Sequence, residues 1–388
     1  MVWHAPVRCE GCGADLDGSP IVGHRARQVF DLPEVGLWAL EHRTQQRRCG
    51  CGRLTTAVFP AGVSAPAQYG PRIRALGIYL IARQHLPYQR AAELLYDWFG
   101  VRISTATLVA FVAQGAADLE PFLDQVHRQI CGSEVVHFDE TGARVAGRTR
   151  WLHAASTERA TCFAIHDSRG VAGIDHAGVL PHFTGIAVHD GYHCYRNYPT
   201  ATHALCNAHH LRDLLGVIEQ DEHHKQTWAV QMDRLLRTLS TTVEQDRADG
   251  HPSLDPLQLA GYHAAYHQII ALGHSQNPPP TTRTGKRGPI KKTHAANLLH
   301  RLDRDRYQLL RFATDFRIPF DNNLVERDIR MVKLQQKISG SWRTTTGADR
   351  FLALRAYIST AAKHGHHVTQ ALTQLAAREP WTIPAPAT

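Results

Sequence analysis

The chain has 388 residues, of which 43% are apolar, and a formal net charge of +8 at pH 7. This length predicts two or three folded units, because one hydrophobic core rarely serves so long a chain. No apolar run approaches the roughly eighteen residues that a membrane-spanning helix needs, and the first residues lack the pattern of a secretory signal. We therefore expect a cytoplasmic protein without a membrane partner.

The basic residues are concentrated near the carboxyl-terminal third. Between Thr281 and Arg350 sixteen Lys and Arg stand against seven Asp and Glu, so this stretch accounts for the whole positive balance. A solvated helix face is the ordinary explanation, but these charges flank Glu326, and that favours contact with phosphate groups. The candidate contacts are Lys286, Arg287, Lys291, Lys292, Arg327, Arg330, Lys333, Lys337 and Arg343.

Eight cysteines fall into two groups. Cys9 and Cys12 form a C-x2-C pair and Cys49 and Cys51 a C-x-C pair, whereas the other four are scattered and expected to be buried. Two close thiol pairs beside glycines can present four thiolates to one structural Zn²⁺. Two disulfides or unligated thiols are the alternatives, and a cytoplasmic setting disfavours disulfides.

Residues 1–66 are predicted to be a small zinc ribbon. Its strands are expected at 28–32 and 37–40, and the metal would supply much of its stability because no large core is available. Since C-x-C is less typical than C-x2-C, His42 or His4 is a candidate replacement for one thiol.

Residues 67–130 are predicted to be a helical unit. Apolar residues recur at helical spacing from Pro87 to a stop at Gly100, and a second helix is expected after Ser104, which can cap it. This pattern is typical of a helix-turn-helix that reads DNA. An ordinary helical hairpin beneath a catalytic core is an equal alternative, because the second helix carries few basic side chains.

Residues 131–218 are predicted to begin an α/β core. The strands are expected at 135–139, 150–155, 161–165, 186–190 and 202–207, with a helix between the third and the fourth. Three meandering strands followed by helix-linked strands is the order of an RNase H-like fold with a mixed sheet. That order brings the ends of the first and fourth strands, and so Asp139 and Asp190, side by side.

The remaining sequence is predicted to be mainly helical. Residues 219–315 would form an all-helical insertion containing a basic loop at 278–289, where proline and glycine prevent regular structure. The helix that carries Glu326 would return to the core within 316–345, and residues 346–388 would form carboxyl-terminal helices and a tail.

Three acids are the candidates for a catalytic metal site. Asp139 and Asp190 end apolar runs, which predicts carboxylates at strand tips that face a cleft, and Glu326 would join them. Three carboxylates can hold two Mg²⁺ or Mn²⁺ ions, which activate an attacking water or hydroxyl and stabilise the leaving oxygen of a phosphodiester. The alternatives are turn-forming aspartates and an exposed Glu326 paired with Arg330. Substitute ligands are Glu140, Asp167 and Asp321.

Two further motifs have more than one interpretation. Cys206-x2-His209 follows the fifth strand and resembles half of a zinc site, but no second pair lies nearby in the sequence. His209 is therefore interpreted as an active-site or core-supporting residue, with Arg212 one turn along as a phosphate contact. Trp342 is either a stacking surface for an unpaired base or an aromatic core residue.

Several long motifs occur in one order along the chain. They are Asp139-Glu-Thr, His189-Asp190-Gly-Tyr, Cys206-Asn-Ala-His209-His-Leu-Arg212, Pro319-Phe-Asp-Asn-Asn-Leu-Val-Glu326-Arg327 and Lys337-Ile-Ser-Gly340-Ser-Trp-Arg343. With these motifs the chain resembles the DDE transposases of the IS66 family of bacterial insertion sequences, from the amino-terminal cysteines to about residue 375. The resemblance implies that Asp139, Asp190 and Glu326 are the catalytic acids, and it places the C-x2-H motif near their pocket.

The sequence therefore predicts a transposase that nicks the ends of its element and joins the exposed 3′ hydroxyls to target DNA. Expected partners are double-stranded DNA at terminal inverted repeats and targets, further copies of the chain, and helper proteins, on the bacterial nucleoid. Two alternatives stay open: an RNase H-like structure-directed nuclease without strand transfer, and a non-catalytic DNA-binding protein derived from a transposase. Dedicated end-binding units argue against the first alternative, and three intact acids against the second.

Overall fold

The structure is a computed structural model that describes residues 1–33, 35–221, 223, 225–279 and 292–384. The predicted phosphate contacts Lys286, Arg287 and Lys291, and most of the predicted basic loop, lie outside the described residues. Among the described helices, none has the length and apolar character needed to cross a membrane.

The first 66 residues contain little regular structure. Two antiparallel strands, β1 (Gln46–Arg48) and β2 (Leu54–Thr56), flank the second cysteine pair. Cys49 N–H donates to the Arg53 carbonyl at 2.8 Å and Gly52 N–H to the Cys49 carbonyl at 2.8 Å, which closes the turn between these strands. The turn therefore presents Cys49 and Cys51 at the tip of a hairpin.

The strands predicted at 28–32 and 37–40 are wrong. These residues have no strand pairing, and Phe30 and Trp38 are 89% and 74% exposed. A strand is stable when another layer covers its apolar face, and no layer of the described structure covers this segment. The hairpin forms further along the chain, where glycines at the second cysteine pair permit a tight turn.

A helical unit precedes the sheet. Its helices are α1 (Pro71–Ile78, continued to Arg83 by a π-helical turn), α2 (Tyr88–Phe99), α3 (Thr105–Ala117) and α4 (Glu120–Cys131). The predicted stop and start are confirmed: Gly100 ends α2 with φ of +66°, and Ser104 Oγ accepts the Thr107 N–H at 3.1 Å.

Helix α3 packs inward through Leu108, Val112 and Gly115. A Cβ on Gly115 would meet Ile78 at 3.1 Å and Leu354 at 3.5 Å, so glycine permits the close approach of neighbouring helices. The sequence of α3 contains no lysine or arginine. These contacts support the interpretation of α2 and α3 as a hairpin that packs against the rest of the protein.

A five-stranded mixed sheet forms the centre of the protein. Its strands are β3 (Val135–Val145), β4 (Arg148–Ser156), β5 (Thr161–His166), β6 (Ile186–His189) and β7 (Thr202–Leu205), with α5 (Val171–Ala177) between β5 and β6. The spatial order is β5-β4-β3-β6-β7; β3 to β5 are antiparallel, and β6 and β7 run parallel to β3. This arrangement confirms the predicted strand order and is compatible with an RNase H-like core.

The prediction that Asp139 ends its strand is wrong. Strand β3 continues to Val145, because its second half pairs with β4 from His137 to Val145. Its parallel pairing with β6 stops at His137, which lies opposite Val188. Continuing that register by two residues brings Asp139 opposite Asp190, so the two acids are still neighbours although Asp139 lies within a strand.

Helices cover both faces of the sheet. After β7 they are α6 (Asn207–Glu219), α7 (Thr227–Ala248), α8 (Pro256–Gln276), α9 (His294–Arg304), α10 (Arg306–Leu309), α11 (Asn323–Ser339), α12 (Thr345–Lys363) and α13 (Val368–Ala376). Val136 and Phe138 face a core shared with α1 to α5, α12 and α13, whereas Ile186 and Val188 face a core shared with α6 to α10.

Helix α11 lies across the β3–β4 hairpin. Its buried residues Val325, Ile329 and Val332 pack against Val145 and Leu152 in a third core. Burying each side chain of this kind contributes about 1.5–3 kcal/mol. The helix is therefore fixed on the sheet face toward which Asp139 points, since alternate residues of a strand face the same way.

Candidate active site

Three structural elements bring the predicted acids together. Asp139 lies within β3, Asp190 directly follows β6, and Glu326 lies in the first turn of α11. Gly191 has φ of +87°, a conformation that favours glycine and turns the chain immediately after Asp190. The Tyr192 N–H then donates to Asp190 Oδ1 at 2.8 Å, which orients that carboxylate.

The three acids share one electrostatic environment. Burial raises the pKa of Asp139 to about 7, and the nearby charges of Glu140, Asp190 and Glu326 add to that effect. No basic side chain of the described residues forms an ion pair with Asp139. Its carboxyl therefore favours the protonated form near neutral pH unless a cation compensates the negative charge.

The residue before α11 fixes the acids relative to each other. Asn322 is buried; its Nδ2 donates to the Phe138 carbonyl at 2.9 Å, and its Oδ1 accepts from His137 Nδ1 at 2.7 Å. Both partners precede Asp139 on β3. The start of α11, and with it Glu326, is therefore held directly beside Asp139.

A mostly buried ion pair fixes the next turn of α11: the side chains of Lys363 and Asp328 are 16% and 12% exposed. Four groups donate to the Asp328 carboxylate at 2.8 Å each: Ser156 Oγ, Thr161 Oγ1, Ser359 Oγ and Lys363 Nζ. Burial alone would raise the pKa of Asp328, but the attraction of Lys363 and these hydrogen bonds hold it below its usual value. Asp328 thus joins α11 to β4, β5 and α12.

Glu140, a substitute ligand in the sequence analysis, has partners of its own. Its Oε1 accepts from Arg169 at 2.8 and 2.9 Å, and its Oε2 accepts from the Tyr195 hydroxyl at 2.6 Å. Glu140 points to the opposite face of β3 from Asp139. With both oxygens engaged, Glu140 supports the pocket through Arg169, whose guanidinium lies 4.1 Å from the ring centre of Tyr192.

The other substitute ligands lie in different settings. Asp167 is 72% exposed and forms an ion pair with Arg150 at 2.8 Å. Asp321 accepts the Asn323 N–H at 2.9 Å, as a turn-forming residue does. The largest causes of the raised pKa of Asp139 are burial and the charges of Glu140 and Asp190.

His209 lies beside the third acid; the sequence analysis interpreted His209 as an active-site or core-supporting residue but did not name Glu326 as its partner. His209 Nδ1 lies 3.9 Å from Glu326 Oε1 and 3.2 Å from Cys206 Sγ. The sequence shows the C-x2-H pair, but its third neighbour comes from a helix more than one hundred residues away. No local pattern connects the two segments.

The predicted basic contacts within the described residues are exposed. They are Arg212, Lys292, Arg327, Arg330, Lys333, Lys337 and Arg343. Lys333 Nζ donates to the Gly142 carbonyl at 3.2 Å, whereas Arg327 and Arg330 form no ion pair within the described chain. The alternative pairing of Glu326 with Arg330 is therefore not observed, and the guanidinium of Arg330 is available to a phosphate.

Trp342 is a core residue. It is 8% exposed, and its ring lies 5.5 Å from that of Phe351. The backbone N–H of Trp342 donates to the Arg144 carbonyl at 3.2 Å, and the backbone carbonyl of Trp342 accepts from the Ala146 N–H at 2.8 Å. These backbone hydrogen bonds tether the segment after α11 to the β3–β4 turn, and the buried ring does not offer a face for base stacking.

The four amino-terminal cysteines form two separate pairs. None of them forms a disulfide; Cys9 is half-buried and the other three are exposed. Hydrogen bonds from the backbone of Cys12 lower the pKa of Cys9, and hydrogen bonds from the backbone of Cys51 lower that of Cys49. Among the described residues, these four are not gathered into one group of metal-ligand atoms.

Residues 66–350 of the chain match the model of a protein family described as "Transposase IS66 family". This match covers the helical unit, the sheet, all three acids and α11. Because the match covers more than half of the chain, the protein belongs to the DNA-processing transposases. The chain is a member of the IS66 transposase family. No curated protein matches it.

Proposed function

We propose that this family member is a DDE transposase that cleaves DNA at the ends of its element and joins the 3′ hydroxyls to target DNA. The observation that carries this proposal is the cluster of Asp139, Asp190 and Glu326, in which burial and then the neighbouring acids raise the pKa of Asp139, and no ion pair of the described residues compensates the charge of Asp139. Carboxylate oxygens of this kind suit Mg²⁺ or Mn²⁺.

The three acids would hold two magnesium ions, which supply activation of the attacking oxygen and stabilisation of the leaving oxygen. A bound cation would compensate the charge of Asp139 and so favour its deprotonated form. Asn322 and His137 keep the start of α11 beside β3, so that Glu326 stays within reach of the two aspartates. The nucleophile in this pocket is water during cleavage and a 3′ hydroxyl during joining. Neither step needs a covalent intermediate with the protein.

Double-stranded DNA at terminal inverted repeats and targets is the proposed substrate, bound by several copies of the chain on the bacterial nucleoid with helper proteins. The decisive experiment incubates purified protein and Mg²⁺ with candidate terminal repeats and a target duplex, then maps 3′ ends and joined products. Cuts followed by joined products are expected. Cuts without joining would indicate a nuclease of RNase H type, and binding without cuts would indicate a non-catalytic DNA-binding protein.

Arg330→Ala is expected to weaken the salt dependence of DNA binding. If Arg330 neutralises one phosphate, its loss should lower the slope of log K against log[salt] by about 0.9 on duplex DNA. Cleavage should fall more than binding, because Arg330 lies one turn beyond Glu326. Arg234→Ala is the matched control, since Arg234 is an exposed arginine of α7. Equal slopes for Arg330→Ala and wild type would show that Arg330 is a solvated side chain.

The basic loop is proposed to bind phosphates without reading sequence. A quadruple variant replaces Lys286, Arg287, Lys291 and Lys292 by alanine. This variant should bind terminal-repeat DNA and random DNA more weakly by the same factor, because phosphate contacts position a protein but carry no sequence information. Binding isotherms at several salt concentrations check this expectation. An unchanged affinity of the quadruple variant for terminal-repeat and random DNA would contradict this expectation.

One structural zinc ion per chain is also proposed, bound by Cys9, Cys12, Cys49 and Cys51. The lowered pKa values of Cys9 and Cys49 favour thiolates, and zinc would draw the two pairs together. Cys9→Ser should remove the zinc and weaken end binding while the core unfolds at its original temperature. Metal analysis of freshly purified, reduced protein checks the ion, and zinc-free wild type would refute the site.

A further inference from the structure

Three different metal-ligand atoms lie together at one side of the acidic pocket. They are Cys206 Sγ, His209 Nδ1 and a Glu326 carboxylate oxygen, and all lie within 4.8 Å of one another. Cys206 directly precedes α6, His209 lies in its first turn, and Glu326 lies in the first turn of α11. A hydrogen bond from Asn207 N–H to the Phe320 carbonyl at 2.9 Å holds these two helix starts together.

We propose that Cys206, His209 and Glu326 form a second metal site, which binds a transition-metal ion such as Zn²⁺ and competes with magnesium for Glu326. The proposal rests on the proposed function, in which Glu326 is a magnesium ligand. It gives Glu326 two alternative sets of partners, one of oxygens and one that includes sulfur and nitrogen.

The distances are close to those of a tetrahedral zinc site. Zinc lies about 2.3 Å from a thiolate and about 2.0–2.2 Å from nitrogen and oxygen, which sets ligand separations of roughly 3.3–3.6 Å. His209 Nδ1 is 3.2 Å from Cys206 Sγ and 3.9 Å from Glu326 Oε1. Small rotations of the side chains therefore suffice to complete three of the four positions.

The burial of the three ligands defines how an ion would enter. Cys206 is fully buried, whereas the side chains of His209 and Glu326 are 32% and 27% exposed. An ion would approach between His209 and Glu326, meet the thiol behind them, and keep a solvent molecule at the fourth position. A site with one open position binds a hydrated ion without unfolding its surroundings.

The chemistry of the ligands separates the two kinds of ion. Thiolate and imidazole prefer zinc-like ions, while magnesium prefers oxygen ligands and retains several waters. An ion held by Cys206 and His209 would draw Glu326 away from Asp139 and Asp190. Zinc would therefore inhibit phosphoryl transfer, and a chelator would reverse the inhibition.

Cobalt titration of the full-length protein tests the site directly, because Co²⁺ reports thiolate coordination by absorption. Wild type should bind about one further equivalent of Co²⁺ compared with Cys206→Ser or His209→Gln. The four amino-terminal cysteines are present in every variant, so their contribution cancels. If Cys206→Ser fails to fold, the comparison is made with His209→Gln alone. This variant should fold, because His209 is partly exposed and the buried thiol of Cys206 remains in place.

Cys131→Ser is the matched control. Cys131 Sγ lies 3.8 Å from His127 Nδ1, so the two form a second cysteine–histidine pair. Within the described chain no third metal-ligand atom lies within 4.8 Å of both. This variant should bind as much cobalt as wild type. Equal cobalt binding by wild type, Cys206→Ser and His209→Gln would overturn the proposal.

Competition is measured as the Mn²⁺ affinity of the acidic pocket with and without zinc. The free Zn²⁺ concentration is set at about ten times the Kd of Zn²⁺. If both sites share Glu326, wild type should then bind Mn²⁺ about tenfold more weakly than without zinc. The Mn²⁺ affinity of Cys206→Ser should not change. Zinc binding without an effect on Mn²⁺ would overturn the competition. Failure of the proposed function is distinguishable, because zinc-free wild type would then not cut DNA in Mg²⁺ whatever the cobalt result.

Discussion

Asp139→Asn, Asp190→Asn and Glu326→Gln are each expected to abolish DNA cleavage and joining. Each change keeps the side-chain volume but removes a charge that holds metal, and metal stabilisation of the transition state amounts to several kcal/mol. A loss of about 4 kcal/mol corresponds to roughly a thousandfold lower rate. The rate is measured by following 3′ ends and joined products on terminal-repeat DNA in Mg²⁺.

Folding and DNA binding should survive these changes. The raised pKa of Asp139 means that its charge is unfavourable in the metal-free protein, so Asp139→Asn should not lower the melting temperature at pH 8. Asp167→Asn is the matched control, because Asp167 is 72% exposed and lies outside the acidic cluster. Near wild-type cutting by any of the three variants would show that the replaced acid is not a metal ligand.

Asp328→Ala is expected to destabilise the protein more than any surface substitution. It leaves the mostly buried Lys363 without its ion-pair partner and removes one acceptor shared by three hydroxyl groups. Removing one partner of a buried ion pair costs about 3–5 kcal/mol. Denaturant unfolding followed by circular dichroism measures the loss, and Asp328→Ala combined with Lys363→Met should lose less than the sum of the two single changes.

Asp233→Ala is the control for this prediction. Asp233 pairs with Arg237 at 2.9 Å on the surface of α7, and such helical pairs contribute about 0.3–0.5 kcal/mol. The lowered pKa of Asp328 adds a pH criterion. The contribution of the ionised Asp328 carboxylate to the free energy of unfolding is present at neutral pH. It disappears only as the pH falls below 3.8, through the lower pKa that Asp328 has in the folded protein. An Asp328→Ala loss as small as the Asp233→Ala loss would contradict the anchoring role of Asp328.

The sequence predicts the features that depend on local pattern. The helix stop at Gly100, the cap at Ser104 and the strand order around Asp139 and Asp190 follow from turn chemistry and apolar periodicity, and the structure contains all of them. The proximity of Asp139 to Asp190 follows from that order, because parallel neighbours bring equivalent strand positions together.

Features that depend on distant partners could not be predicted. The apolar run ends at Asp139, yet β3 continues, because β4 supplies backbone partners that no local pattern reveals. Phe30 and Trp38 have the composition of strand residues but no covering layer. Glu326 acquires its neighbour His209 only when α6 and α11, which are more than one hundred residues apart in the chain, pack together.

Anomalous diffraction from crystals soaked in Mn²⁺ is the most direct test of the central claim, which is that Asp139, Asp190 and Glu326 form one metal pocket. The account predicts anomalous density between these three carboxylates in wild type and its loss in Asp139→Asn, with the fold unchanged. Manganese bound elsewhere, with no density among the three acids at saturating concentration, would contradict the account.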